Sequence, residues 1–137
     1  MTDKLNFSLV SPARELFNGT VDHVIAPGSE GEFGVLPNHA PFMSTLRSGR
    51  VRIIDGDTVH RYFVHGGFAD VTPEGLTILA EEAIRLEDLD AEHIKDEIMK
   101  AERARDAAVS DREAMFKAEG DVQRLKAQLD ALEEAHH

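Results

Sequence analysis

Cysteine is absent from the 137 residues. That absence excludes a disulfide framework, a thiolate nucleophile and every cysteine-containing metal site. Long apolar runs are also missing: the longest are only a few residues, against the roughly 18 that mark a membrane span, so no transmembrane helix is expected. The opening stretch, MTDKLNFSLVSPARELFNG, has no basic cluster followed by an apolar run, and no secretory signal is read in it. Basic charge is scarce as well, with 15 Lys and Arg against 26 Asp and Glu and a formal net charge of −11. Nucleic acid or an anionic lipid surface repels such a chain, so neither nucleic-acid binding nor direct membrane insertion is expected. The chain is too short for a dinucleotide-binding pair of domains or a (β/α)8 barrel, which leaves one domain, or one small domain with an appendage. A soluble, acidic, intracellular protein is expected.

The second half has little glycine, proline or aromatic content. Nine of the ten Gly lie at or before Gly75, all five Pro at or before Pro73, and seven of the eight aromatic residues at or before Phe68. Residues 1–85 therefore read as β and residues 86–137 as helical. Leu5, Phe7 and Leu9 alternate with Asn6 and Ser8, the period of a half-buried strand, and Pro12 ends it. Arg50 to Ile53 alternates again, Asp55-Gly56-Asp57 supplies a turn, and Thr58 to Val64 is the returning arm of a hairpin. Thr72-Pro73-Glu74-Gly75 joins a strand at Phe68–Val71 to one at Leu76–Leu79. Short strands at this spacing predict a sandwich.

In the second segment Asp90 is the predicted N-cap of a helix whose inner stripe runs Ile94, Ile98, Ala101, Arg105 and Ala108. Ser110 with Glu113 forms a predicted capping box for a second helix, with Met115, Ala118, Val122, Leu125, Leu129 and Leu132 on one face. The two make an antiparallel hairpin. Its large apolar side chains contribute about 1.5–3 kcal/mol each when buried, while ordering the backbone costs about 1–2 kcal/mol per residue, so the hairpin depends on docking.

No motif marks chemistry. Gly28-Ser29-Glu30-Gly31-Glu32-Phe33-Gly34 is glycine-rich like a phosphate cradle, but no Gly-Lys-Ser/Thr follows and Glu30 and Glu32 would repel a phosphate, so a tight surface loop between strands is expected. His23, His39, His60 and His65 are scattered, no His-Glu-x-x-His occurs, and His136 and His137 read as remnants of a tag, so no metal is expected. Gly-x-Ser-x-Gly is absent. No catalytic residue and no cofactor are assigned.

The stretch Gly28-Ser29-Glu30-Gly31-Glu32-Phe33-Gly34-Val35-Leu36-Pro37-Asn38-His39-Ala40-Pro41 closely resembles the hallmark loop of the ε subunit of bacterial F-type ATP synthases. Gly66-Gly67-Phe68, Val71 and Leu76-Thr77-Ile78-Leu79-Ala80 match at the family's spacing, and the order of sandwich before hairpin extends the resemblance over the whole chain. The resemblance implies a mixed fold, an N-terminal β-sandwich (1–85) attached to the γ subunit and the c-subunit ring, followed by a C-terminal antiparallel two-helix hairpin (86–137) acting as a mobile regulatory arm. It implies a non-catalytic central-stalk subunit that couples c-ring rotation, driven by protons, to ATP synthesis, peripheral on the cytoplasmic face of the bacterial inner membrane. By the same resemblance Glu32 contacts the ring, with His39, Phe42 and Met43 at the same end of the sandwich. Two other readings compete: an ATP-sensing regulatory module, and a β-sandwich adaptor outside the synthase.

Family members also switch on the hairpin, which permits rotation when folded and blocks ATP hydrolysis when extended along γ towards the α and β subunits. Some bind ATP through Ile/Leu-Asp-x-x-Arg-Ala. Here the residues are Leu89-Asp90-Ala91-Glu92-His93-Ile94, so the resemblance carries Leu89 and Asp90 but puts His93 where the arginine belongs, with Arg103 as a further contact. Losing a bidentate guanidinium removes the strongest phosphate contact, unless Arg103, Arg105, Arg112 and Arg124 converge in the folded hairpin. The inhibitory second helix is basic in the family, whereas Arg112, Lys117, Arg124 and Lys126 are here outnumbered by Asp111, Glu113, Glu119, Asp121, Asp130, Glu133 and Glu134. Weak ATP binding and weak inhibition are expected.

Overall fold

A computed structural model describes residues 3–134, so His136 and His137 lie outside the described residues. The chain forms β1 (Leu5–Val10), β2 (Glu15–Val21), β3 (His23–Gly28), β4 (Gly31–Val35), β5 (Phe42–Thr45), β6 (Gly49–Asp55), β7 (Thr58–His65), β8 (Phe68–Thr72), β9 (Gly75–Leu79) and β10 (Glu82–Arg85). A short 3-10 turn at Leu86–Asp88 then leads to α1 (Ala91–Ala107) and α2 (Arg112–Glu134). The strands make two five-stranded sheets, β2-β1-β9-β8-β5 and β10-β7-β6-β3-β4, a β-sandwich. The chain divides into two compact units between Arg85 and Leu86. Among the described residues no helix is long and apolar enough to cross a membrane.

The sandwich is built on period-2 alternation. Leu5, Phe7 and Leu9 of β1 are buried while Asn6 is exposed, and the chain turns at Ser11 and Arg14, which exchange backbone hydrogen bonds of 2.9 and 3.2 Å on either side of Pro12. β6 and β7 form the expected hairpin, from Asp55 opposite Thr58 to Gly49 opposite Val64. The β8–β9 turn is closed by Thr72, whose hydroxyl accepts the Glu74 N–H at 3.2 Å. β1 pairs in parallel with β9, Phe7 opposite Leu76 and Leu9 opposite Ile78. That pairing brings the first and ninth strands together in the centre of one sheet. Facing residues of both sheets close the core, including Phe7, Leu9, Val24, Ala26, Val51, Ile53, Val64, Ala69 and Ile78, all almost entirely buried.

One expectation for this unit is corrected. Gly28–Gly34 is not a loop throughout: only Ser29 and Glu30 form the turn, and Gly31–Val35 is β4, paired antiparallel with β3 from Gly28 opposite Gly31 to Val24 opposite Val35. Alternation again explains it, since Val35 is buried and Phe33 packs against the core while Glu32 and Gly34 point outwards.

Away from that turn, Lys4 bridges Asp22 Oδ1 at 2.8 Å and Asp55 Oδ1 at 2.5 Å, and the Gly56 N–H donates to Asp22 Oδ2 at 2.7 Å. Bonding to Asp22 and then Asp55 raises the Lys4 pKa, and bonding to Lys4 and then to Gly56 holds the Asp22 carboxyl below its usual value. The cluster pins the start of β1 to the β2–β3 junction and the β6–β7 turn. Its groups are well exposed, so it registers the strands more than it stabilises them.

In the helical unit Asp90 caps α1 as expected, its carboxylate accepting the Glu92 N–H at 3.1 Å, and Ile94 and Ile98 are buried. The expected Ser110–Glu113 capping box is corrected. Asp111 takes the position instead: its carboxylate accepts the Ala114 N–H at 3.2 Å and its carbonyl the Met115 N–H at 2.9 Å. A carboxylate satisfies the same orphan donors as a serine hydroxyl and also complements the helix dipole. Ala118, Val122, Leu125 and Leu132 are buried on the expected face of α2 and Leu129 is half-buried, but Met115 is exposed, and Gln128 and Ala131 are buried beside them. Ion pairs join the helices in antiparallel register, Arg105 to Glu119 at 3.4 Å and Lys126 to Glu102 at 3.7 Å.

Candidate partner-binding surfaces

Glu32 lies on β4, an edge strand, opposite Pro27 and one position in from the Gly28–Gly31 turn. Its side chain is exposed, and Arg52 Nη2 donates to its Oε1 at 2.8 Å. The same end of the sandwich is closed by the Ser29 N–H to the Thr45 carbonyl at 3.0 Å, the Arg47 N–H to the Pro27 carbonyl at 3.0 Å and the Leu46 N–H to the Gly67 carbonyl at 2.9 Å.

Of the residues expected with Glu32 at one end of the sandwich, Phe42 reaches its neighbour Phe33, while the strand register carries His39 towards the other end. β5 runs from Phe42 opposite Val71 to Thr45 opposite Phe68, so only its last residues approach the Gly28–Gly31 turn. His39 belongs to the far end, in a groove with Lys4, Pro41 and the Thr72–Gly75 turn. Its ring packs on Phe42 with centroids 5.2 Å apart, and Phe42 in turn meets Phe33 edge-on at 5.3 Å. Phe42 therefore helps to close the edge of the core. Met43, 65 % exposed, stands opposite Asp70 on the outer face of the other sheet. The twelve residues from Glu32 to Met43 look like one loop in sequence and still cross from one sheet to the other.

That outer face carries the surface that sequence reasoning missed. Val10, Leu79, Phe68 and Thr45 stand in one row across four strands, each opposite the next. Phe68 and Leu79 are 37 % and 41 % exposed, and Met43 lies one row along from them. Large apolar residues at outward positions of half-buried strands were the available signal: in Phe68–Val71 the inward pair is Ala69 and Val71, which leaves Phe68 facing out. An apolar row across a sheet suits burial against a protein partner.

The four nucleotide-contact candidates on the hairpin are not brought together. Leu89, half-buried, follows the 3-10 turn, and the Asp90 carboxylate is engaged at the helix N-terminus. His93 is exposed, and Arg103 lies ten residues farther along α1, about 15 Å at 1.5 Å per residue. The convergence of Arg103, Arg105, Arg112 and Arg124 is likewise ruled out by helix geometry. Arg103 and Arg105 are two residues apart and so point to opposite sides of α1, and Arg112 and Arg124 are separated by about 18 Å along α2. Arg105 is committed to acids in any case: partial burial works against its charge, but Glu119 and Asp106 outweigh it and raise its pKa.

The fold and these surfaces define a binding module: a sandwich with an apolar row on one outer face and a separate charged edge, carrying a helical arm. Residues 4–86 match the family model described as ATP synthase, Delta/Epsilon chain, beta-sandwich domain, and the chain belongs to that family. It is 49 % identical over 140 residues to the ATP synthase epsilon chain of Parvibaculum lavamentivorans, covering 100 % of this chain and 98 % of the relative. It is 71 % identical over 99 residues to that of Hyphomonas neptunium, covering 72 % of this chain and 73 % of the relative. Among solved structures it is similar to a chain of the Euglena gracilis mitochondrial ATP synthase, OSCP/F1/c-ring in rotational state 1, with a TM-score of 0.78, 25 % identity, and coverage of 98 % of this chain and 82 % of that one.

Proposed function

We propose that this chain is a non-catalytic rotor subunit of a proton-translocating F-type ATP synthase, attached by its sandwich to γ and to the c ring and peripheral at the cytoplasmic face of the bacterial inner membrane. The supporting observation is the separation of two unlike surfaces. The Phe68–Leu79 row is largely apolar, suited to γ, and the Glu32 edge is charged and lies beside a turn, suited to the polar loops of the ring. A subunit that transmits torque between two partners needs two such faces. Both lie within residues 1–85, where the strands and the core also lie.

The test is assembly. A chain ending at Arg85 is expected to keep the melting transition of the sandwich and to comigrate with γ and the c ring. A truncated chain that is folded but fails to comigrate would remove the proposal and leave a β-sandwich adaptor outside the synthase.

In this reading the hairpin is a weak regulator of the α and β subunits. His93 in place of arginine, the engaged Asp90, the dispersed arginines and the acidic α2 all argue against strong ATP binding or strong inhibition. Gly120, in mid-α2, weakens the arm by a further ~1 kcal/mol relative to alanine. Calorimetric titration of ATP into the isolated chain is expected to give no micromolar site, and removal of residues 88–137 to raise hydrolysis by the complex less than twofold, about 0.4 kcal/mol at most. Micromolar binding would favour the ATP-sensing module, and several-fold activation would show a strong inhibitor.

A further inference from the structure

Glu32 is not a free surface carboxylate. Arg52 Nη2 donates to its Oε1 at 2.8 Å, with 28 % of the Arg52 side chain and 46 % of the Glu32 side chain exposed. The two are not neighbours in the sheet. Arg52 stands opposite Ile25 on β3 and Glu32 opposite Pro27 on the other side of that strand, so the guanidinium crosses the width of β3 to reach the edge. Arg61 stands directly opposite Arg52 on β7. Like charges at opposed positions repel, and the Glu32 carboxylate offsets that repulsion. For Glu32 the pair supplies restraint. The residue follows Gly31, which at φ +132° ends a two-residue turn. An unpaired carboxylate there would sample several rotamers and lose that freedom on binding. Among the described residues no donor reaches Glu32 Oε2, so one carboxylate oxygen is held and the other is open.

We infer that Arg52 is the positioning residue of the ring contact: by holding Oε1 it aims Oε2 at a hydrogen-bond donor on a polar loop of the c ring. The inference rests on the reading of Glu32 as that contact. It also changes the electrostatics. With the Arg52 guanidinium in contact the Glu32 charge is locally neutralised, so little long-range attraction acts from it and binding comes from a short, directed, charge-assisted hydrogen bond. Attachment is then only weakly sensitive to salt, whereas an unpaired exposed carboxylate would be strongly screened.

The test titrates full-length chains onto the rotor of γ and c ring at low and high ionic strength, with the melting temperature of each free chain measured in parallel. Arg52→Gln is expected to weaken attachment about fivefold, the upper end for an exposed ion pair, to make the remaining affinity fall with salt, and to leave the melting temperature nearly unchanged. Arg52→Lys is expected to recover part of the affinity and little of the salt independence, because an ammonium on a flexible stem keeps the charge but does not fix which carboxylate oxygen it holds. Exchange of the pair, Glu32→Arg with Arg52→Glu, rebuilds the internal bond but presents a donor to a donor, and is expected to fold normally and bind poorly. If Glu32→Gln weakens attachment while Arg52→Gln does not, the ring contact stands and the positioning role falls. If neither changes attachment, the reading of Glu32 as a contact falls with it. Normal binding by the exchanged pair, or losses that track melting temperature with no change in salt dependence, overturns the positioning role and leaves a structural brace.

Discussion

A chain carrying both Phe68→Asp and Leu79→Asp is expected to fold and to lose γ. The two residues stand directly opposite each other on β8 and β9, more than a third exposed, in a row continued by Val10 and Thr45. They contribute nothing to the buried core, whose inward residues on the same strands are Ala69, Val71, Leu76 and Ile78. Substitution there should cost the isolated sandwich little beyond the repulsion of two carboxylates in opposed register, ~1 kcal/mol. At an interface the balance is different. A central aromatic anchor is worth ~2 kcal/mol or more on truncation, and a carboxylate in its place must also be desolvated without a partner. Together the two changes should weaken γ binding by about a thousandfold, ~4 kcal/mol. Size-exclusion comigration of the variant with γ, and the near-ultraviolet signal of Tyr62, the single tyrosine and a core residue, report binding and folding separately. A variant that retains γ would place the contact on another face. One that loses the Tyr62 signal would show that the row supports the fold.

How legible this row was follows from what alternation encodes. Period 2 tells which residues share a side of a strand, and it located β1, the β6–β7 hairpin and the β8–β9 turn within a residue or two. It does not tell which strands become neighbours. The parallel pairing of β1 with β9 places Val10 beside Leu79, and residues 10 and 79 share no local pattern. The same limit explains the dispersal of His39, Phe42 and Met43. The resemblance puts them at one end of the sandwich, but the chain leaves one sheet after Val35 and enters the other at Phe42, so His39 and Phe42 pack together at the edge of the core while Met43 faces out from the other sheet. Pairs such as Glu32 with Arg52, bridged across an intervening strand, lie beyond any sequence period. Of the two helix caps, Asp90 stands as expected and the second differs narrowly: Ser110 and Asp111 are both good caps, and the structure uses the carboxylate that accepts the Ala114 N–H.

Gly67→Ala is expected to unfold the sandwich, and Gly66→Ala to leave it folded. Both glycines have positive φ, +72° at Gly66 and +107° at Gly67, so an alanine at either incurs backbone strain of ~1–3 kcal/mol. The surroundings then separate them. A Cβ on Gly66 would meet the Glu81 carboxylate at 2.9 Å, the far end of a side chain that can swing away. A Cβ on Gly67 would lie 2.0 Å from the Leu79 carbonyl oxygen and 2.8 Å from the Ala80 Cα, both backbone. Neither side can yield cheaply. The Gly67 carbonyl accepts the Leu46 N–H at 2.9 Å, the Ala80 N–H donates to the Val10 carbonyl at 2.9 Å, and Phe68 is paired with Leu79 in the β8–β9 ladder. Relief would require breaking that ladder at the point where β9 also pairs with β1. Losing two or three of its hydrogen bonds, at ~1 kcal/mol each, on top of the strain brings the cost to ~3–6 kcal/mol, comparable at its upper end with the whole stability of a marginally stable domain. Thermal melts followed through Tyr62 should show no cooperative transition for Gly67→Ala, and one lowered by ~5–15 °C for Gly66→Ala. Similar melting of the two variants would mean that the β9–β10 link moves more freely than its hydrogen bonds imply.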